Sequence, residues 1–576
     1  MSRFTVTLFA LLGGAATAPA DPVLSFSEQA EAAGVAAPQT PPPGVLTNIM
    51  VGSAAVGDFN NDGWQDLFML AGGGAPDRLY LNRSDGAFDE VGAAWGVAEM
   101  HVAMGVAVGD YDRDGWLDMF VSAGGFDGTE PGRNKLYRNL GGYGFEEVAA
   151  LAGVQWTAPG PGDGWGAVFG DYDLDGDLDL FVGGYVFNRG GNRLFRNEGD
   201  GTFVDVTTSA ILFDLDSTTH SFSPRLVDMD GDRYPELLIA GDFITSRYMV
   251  NNRDGTFTEA TRAAGVGLDF NGMGNTVGDF NNDGLPDWYV TAIYNPASEV
   301  QPGNMLYLNN GGHRFREVGA SAGVNQGGWG WGAAAVDFDH DGLQDLMATN
   351  GWPGAFGHDP TYLWLNRGDE TFASSATACG ITHNLQGRGL VNFDYDNDGD
   401  QDVVIVNLGE ETTLLRNDLT GSGANWLRVF LDHNGRSNLA PNGVGARVRA
   451  TIGGTTHTRW LEAGSNYLGV SELSAHFGLG AATSVDELVV EWPTGEQSVL
   501  TGLAVNQTLT VSATRLVGDT TADGRVELSD LGVVLTAFGG CEGDATFDPE
   551  ADLDDDGCVT LADLTIVIEE YGAALY

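Results

Sequence analysis

Hydrophobic and polar positions alternate along this chain in short runs, four to a unit, and the unit recurs. Between residues 166 and 206 the runs are GAVFGD, DLDLFVGG, NRLFRN and GTFVDV. Valine, aromatic residues and a period of two favour strands, and the Gly-rich steps between them favour hairpins. The first two runs of each unit flank one phrase, Asp-aromatic-Asp/Asn-x-Asp-Gly-x-x-Asp-apolar. It begins at Asp58, Asp110, Asp171, Asp279, Asp337 and Asp394, with a degenerate copy at Asp228 in which Arg233 stands where Gly is expected. Successive copies lie 51 to 61 residues apart. Four antiparallel strands repeated radially make a propeller blade, so the pattern predicts a mainly β chain with a seven-bladed β-propeller over residues 21–420. The last unit stops after Leu414-Leu415-Arg416-Asn417 without a fourth run, and that run stands near the N-terminus as Leu24-Ser25-Phe26-Ser27-Glu28. This first strand is expected to complete the last blade and remove a raw sheet edge.

The phrase has the chemistry of a cation loop. Oxygen donors at alternate positions, with Gly at the sharp turn, wrap a hard ion that takes six to eight oxygens. The donor sets are Asp58/Asn60/Asp62/Asp66, Asp110/Asp112/Asp114/Asp118, Asp171/Asp173/Asp175/Asp179 and Asp279/Asn281/Asp283/Asp287. Two more are Asp337/Asp339/Asp341/Asp345 and Asp394/Asp396/Asp398/Asp402. The set Asp228/Asp230/Asp232/Glu236 is the weakest, because Arg233 takes a positive φ less readily than Gly. Calcium is the expected ion, since magnesium keeps its waters and an octahedral shell. Residues 24 to 417 thus resemble the FG-GAP/VCBS repeat family, known from integrin α-chain propellers and exported bacterial proteins.

Two smaller modules follow. Residues 425–513 carry NGVGARVRATIGG, Gly464-Ser465-Asn466-Tyr467-Leu468, HFGLG and VDELVVEWPTG, which read as a small β-domain. These phrases resemble the ASPIC/UnbV domain, and their position after the repeats resembles the cartilage acidic protein family. After Tyr467 the chain reads Leu-Gly-Val-Ser-Glu, less polar than that resemblance implies, and His476 is expected to pack as a core residue. Residues 516–576 hold two acidic loops, each leading into an apolar helix pattern. Their donors are Asp519, Thr521, Asp523, Glu527 and Asp530, then Asp552, Asp554, Asp556, Thr560 and Asp563, with Gly524 and Gly557 at loop position 6. The pair resembles a type I dockerin, a small α-helical EF-hand-like module; that resemblance implies calcium and a cohesin-like partner. Leu528-Ser529 and Leu561-Ala562 stand where cellulosomal dockerins usually present Ser/Thr pairs, which weakens the cohesin implication. Cys541 and Cys558 are expected to form a local disulfide in an oxidising compartment, leaving Cys379 as a buried thiol.

Charge and composition narrow the role. Eighty acidic against 27 basic residues give a formal −53, which repels nucleic acid and anionic lipid. Arg3, the apolar run Phe4 to Ala16 and Ala18-Pro19-Ala20 read as a signal peptide, residues 1–20, cleaved after Ala20, so the chain is expected to be secreted or at the cell surface. No segment is apolar for long enough to predict insertion in a membrane. No nucleophile elbow, zinc-protease phrase or P-loop occurs, so an enzyme is the less favoured reading. The cation loops rim one face of the predicted propeller. The other face receives long loops rich in Trp, Tyr, Asn and Gly: Ser122 to Asn134, Trp156 to Trp165, Tyr185 to Asn192, Tyr294 to Asn304, Gly327 to Trp331 and Gly351 to Thr361. Such loops suit an extracellular protein or polysaccharide ligand. The expected role is calcium-dependent adhesion, scaffolding or carbohydrate binding; the alternative is a dockerin-bearing polysaccharide-degrading enzyme using loop carboxylates such as Asp127, Glu130, Asp163 and Asp359.

Overall fold

The computed structural model describes residues 22–41, 49–124, 133–155, 163–188, 190–211, 213–421, 423–464, 466–554 and 556–575. The expected signal peptide lies outside the described residues, as do Asp127, Glu130 and parts of the loops at 122–134 and 156–165. Among the described residues no helix is long and apolar enough to cross a membrane.

The alternating runs form four-stranded antiparallel sheets of one topology. In the third unit the strands are Ala167–Gly170, Asp179–Val182, Arg193–Asn197 and Phe203–Asp205, hydrogen-bonded in sequence order. Six sheets follow that order, and a seventh is completed from the other end of the chain: Phe26–Glu28 pairs with Thr413–Asn417 in the register Phe26 to Asn417 and Glu28 to Leu415. The predicted N-terminal strand is therefore found where the missing run left an edge. The arrangement is mainly β and propeller-like.

Apolar cores form between the sheets. One joins Phe120 and Leu136 of the second unit to Phe169, Leu180 and Phe195 of the third, and another joins Val391 and Val404 of the last unit to Val56 and Tyr80 of the first. Each inner strand is nearly all buried, so its side chains must serve both faces; small residues make room. Gly166 shows why: a Cβ there would lie 2.1 Å from the Phe222 carbonyl oxygen. Deleting residues 24–35 removes Phe26, buried among Val336, Phe338 and Leu415, and leaves the outer edge of the Thr413–Asn417 strand unpaired, its other edge still bonded to Asp402–Asn407. Aggregation or loss of a cooperative thermal transition is expected for that truncation; an equally stable, monomeric product would show that the sheet assembly closes without it.

Residues 425–513 form the second domain. A three-stranded sheet (Ala475–Gly480, Asn425–Asp432, Gln507–Ser512) faces a four-stranded one (Thr455–Trp460, Arg447–Ile452, Ser484–Glu491, Gln497–Ala504) over a core that includes Leu427, Phe477, Leu488 and Trp492. The final segment holds the helices Leu528–Ala537 and Leu561–Glu570, each opened by a capping box, packed through Val526, Val534, Val559 and Val567. Cys541 and Cys558 are disulfide-bonded and Cys379 is a buried thiol, as expected.

The second domain does more than follow the sheets: it enters them. Residues 462–464 and 466–474 lie against inner strands of six sheets. Val106 N donates to Leu468 O at 2.8 Å, Val56 N to Val470 O at 3.0 Å, Asn275 N to Asn466 O at 2.9 Å, and Glu472 N to Asn392 O at 3.0 Å. Ala463 forms an isolated bridge with Phe169, and Arg225 donates to Asn466 Oδ1 at 2.6 Å and pairs with Glu462. Tyr467 is fully buried, its hydroxyl 2.6 Å from the Met50 carbonyl, amid Met104, Trp165, Phe222 and Trp331. The unexpected Leu-Gly-Val run has its physical reason here. Leu468 and Val470 meet apolar inner strands, and Gly469 passes so close that a Cβ would lie 2.3 Å from the Ala54 carbonyl oxygen.

Candidate metal centre

Each acidic phrase folds as the turn between the first two strands of its sheet, and the backbone itself arranges the carboxylates. In the second loop Asp110 accepts from the amides of Asp114 and Gly115, both at 3.0 Å, and Asp114 from Trp116 at 3.0 Å. Asp118 accepts from Tyr111 at 3.2 Å and from Asn139 at 2.7 Å. The same pattern recurs at Asp58, Asp171, Asp279, Asp337 and Asp394, for example Asp394 from Asp398 at 3.1 Å and Gly399 at 2.9 Å. The residue before the central Asp is left-handed in these loops: Asn61, Arg113, Leu174, Asn282, His340 and Asn397.

These hydrogen bonds leave one donor position unserved. The Oδ1 atoms of Asp112, Asp173, Asp339 and Asp396, all at the third loop position, are buried and find no partner among the protein's atoms. In each of the loops at Asp110, Asp171 and Asp337, three carboxylates offer oxygens within 4.8 Å of one another. Asn60 and Asn281 instead turn onto Asp62 and Asp283 of their own loops. The carboxyls are raised by burial and by each other: Asp118 is pushed up to about 9 and Asp394 to about 8 by burial, and neighbouring loop carboxylates add to both. Converging oxygens, an orphaned carboxylate and crowded like charges fit a hard divalent cation.

The degenerate loop differs. Arg233 does adopt the left-handed conformation, φ 83°, at the position of the missing Gly. Its outer carboxylates have protein partners: Arg253 pairs with Asp232, and His313 Nε2 lies 3.1 Å from Asp230 Oδ2. Glu236 is fully buried and accepts from Met229 N at 2.8 Å.

The C-terminal loops share the inner geometry. Asp519 accepts from Asp523 and Gly524, and Asp552 from Asp556 and Gly557, at 2.8 to 3.2 Å. Asp530 and Asp563 each accept at the start of a helix, from Glu527 N at 2.8 Å and Thr560 N at 2.6 Å. Thr521 Oγ1 is bonded to Asp530, and Asp554 is exposed.

Two features of the site escaped the sequence reading. One is a repeated asparagine at the end of every third strand. Asn139 Nδ2 donates to Phe59 O of the preceding sheet at 2.9 Å; Asn197, Asn251, Asn309, Asn366 and Asn417 repeat the bond, and Asn82 reaches Tyr395 of the last sheet at 2.8 Å. Its signal was visible as Asn closing each third run. The other is that the second domain covers the loop face. Arg428 lies 2.9 Å from Asp394 Oδ2, Gly478 N donates to Asp337 Oδ2 at 3.0 Å, Arg113 reaches Leu439 O at 3.2 Å, and Arg233 reaches Thr494 O at 2.6 Å. His476 is buried there, its Nε2 2.9 Å from Gly399 O, a packed residue as expected. On the opposite face several of the expected aromatics turn onto each other. Trp329 stacks on Trp352 at 4.4 Å, Trp165 and Trp331 are buried, and Asp163 serves Trp165 Nε1 and Val186 N.

Comparison with known proteins agrees with this architecture. Residues 58–121, 123–182, 184–239, 228–290 and 297–348 match the FG-GAP-like repeat, and residues 435–516 match ASPIC and UnbV. The chain is an FG-GAP repeat protein with an ASPIC/UnbV domain. It is homologous to cartilage acidic protein 1: the Homo sapiens protein is 25% identical over 469 residues, covering 76% of this chain and 59% of the relative. The Xenopus tropicalis protein is 29% identical over 264 residues, 43% of this chain and 37% of the relative. The chain thus spans about three-fifths of the length of its human relative. Among solved structures, BBS1N in complex with ARL6DN is similar with a TM-score of 0.40 and 9% identity, covering 64% of this chain and 94% of that one.

Proposed function

We propose that this chain is a secreted calcium-binding scaffold: a closed seven-bladed β-propeller whose cation loops seat the ASPIC/UnbV domain and whose opposite face binds an extracellular protein or polysaccharide. The observation that carries the calcium reading is the buried, unpartnered third-position oxygen in the loops at Asp110, Asp171, Asp337 and Asp394. With an ion in place each loop neutralises part of its own charge, and the basic residues Arg428 and Arg459 of the second domain meet a rigid surface. Export is supported by the leader-like N-terminus, by a disulfide, and by relatives named for cartilage, an extracellular tissue. Immobilised in calcium and offered a panel of polysaccharides and matrix proteins, the chain is expected to retain at least one without releasing reducing sugar. Retention unchanged by chelator, or release of reducing ends, contradicts this reading.

The C-terminal segment serves as a dockerin-like attachment module. Its two helices expose the same apolar positions 33 residues apart: Leu528 and Leu561, Leu535 and Ile568, Phe538 and Tyr571, between 49% and 70% exposed. Soluble helices do not leave a matched apolar stripe to water without a use for it. Changing both Asp519 and Asp552 to Ala is expected to abolish a calcium-induced gain of helical circular dichroism in the full chain, leaving the main melting transition in place. A helical signal indifferent to calcium in the unmutated chain would refute the module's metal dependence.

A further inference from the structure

The fourth loop departs from its six sisters in ways that act together. Arg253, from the hairpin of the same sheet, pairs with Asp232 and sets a positive charge on a carboxylate that still converges with Asp228 and Asp230 within 4.8 Å. From the following sheet, the turn between Met305–Asn309 and Phe315–Glu317 sends in His313. In the comparable turns of three other sheets the residue is glycine, left-handed at Gly86, Gly201 and Gly255 (φ 82°, 82° and 79°); His313 (φ 54°) and Glu370 of the next sheet (φ 64°) hold that conformation with a side chain, and of these only His313 reaches an acidic loop. Left-handed backbone disfavours most side chains, so the turn chemistry alone does not call for histidine.

The imidazole is aimed. Its Nε2 lies 3.1 Å from Asp230 Oδ2, and its Nδ1 lies 2.9 Å from the hydroxyl of Tyr248, which is fully buried. His313, Asp230 and Glu236 bring one ligand atom each within 4.8 Å of one another, the last contributed from a buried strand residue. A hydrogen-bonding partner on the second ring nitrogen is the device that fixes tautomer and orientation in metal-bound histidines.

We propose that the fourth loop is a mixed nitrogen–oxygen site for a divalent transition ion of the zinc class, formed by His313, Asp230 and Glu236. Imidazole nitrogen suits zinc, copper, nickel and iron, whereas calcium takes oxygen donors only, and here one of its oxygens is held by Arg253. Three protein ligands leave a position for water. Tyr248 donates nothing to the ion; its oxygen accepts the Nδ1–H and leaves the Nε2 lone pair directed at the site. The assignment does not depend on calcium in the other loops.

The test uses untagged full-length protein held in excess calcium and titrated with cobalt(II) as a spectroscopic probe. One calcium-resistant equivalent with visible d–d absorption is expected, displaced by zinc. His313→Gly restores the glycine of the comparable turns, so its fold should persist, and it should weaken cobalt binding at least tenfold; His313→Asn, which also tolerates the left-handed turn, should do the same. Absence of a calcium-resistant equivalent, or one that both variants retain, overturns the proposal and leaves His313 and Arg253 as the loop's own counter-charges. Calcium bound by the remaining loops is measured in the same samples, so the two readings fail separately.

Discussion

Chelation is expected to lower the melting temperature by on the order of 10 °C, with recovery on adding calcium and little recovery with magnesium. An ion at one hundred times its Kd stabilises by about 2.7 kcal/mol per site, and several sites share one cooperative assembly. The pH dependence should reverse with the ion. In chelator, burial holds Asp110, Asp118, Asp337 and Asp394 protonated in the folded state up to about 7, 9, 8 and 8, against an ordinary value near 3.8. The folded chain then binds protons that the unfolded chain has released. The stability from these groups is present below pH 4 and lost as pH rises through 7 to 9. In calcium the carboxylates are needed ionised, so acid becomes destabilising. Thermal melts from pH 5 to 9 with and without chelator check both signs; parallel profiles would count against an ion among these groups.

The second large effect is expected at Tyr467. The ring is fully buried among residues of several sheets and its hydroxyl serves Met50 O. Tyr467→Ala removes a large core side chain, about 3–5 kcal/mol for comparable aromatic truncations, and leaves the Met50 carbonyl unpaired. Because the residue belongs to the second domain, the loss should also loosen that domain from the sheets. Limited proteolysis of the connection near residues 418–424 should accelerate in the variant. A destabilisation below about 1 kcal/mol, with unchanged proteolysis, would show that the segment merely lies along the sheets.

Much of the fold was legible because the repeat is local. Strand period, glycine turns and the Asp phrase all lie within a unit, and even the long-range pairing of Phe26–Glu28 with Thr413–Asn417 was readable as one missing run and one spare. The axial segment was not. Asn466, Tyr467 and Leu468 touch partners between 76 and 417 residues away, and no periodicity announces such contacts. The docking of Arg428 on Asp394 was hidden for the same reason: a surface arginine in one domain carries no sign of the carboxylate it will meet in another. The aromatic loops were ambiguous in a different way. Trp and Tyr suit both a ligand surface and a core, and burial of Trp165 and Trp331 is decided by the converging sheets. His313 was passed over because it stands in a turn, 77 residues beyond Glu236, outside the phrase it completes.

The most direct measurement is the calcium content of full-length protein equilibrated by dialysis at micromolar free calcium and read by atomic emission. About eight ions per chain are predicted, one for each of the six regular loops and one for each C-terminal loop, the fourth loop taking none. A chain that retains no calcium, and melts at the same temperature in chelator, would contradict the account at its centre.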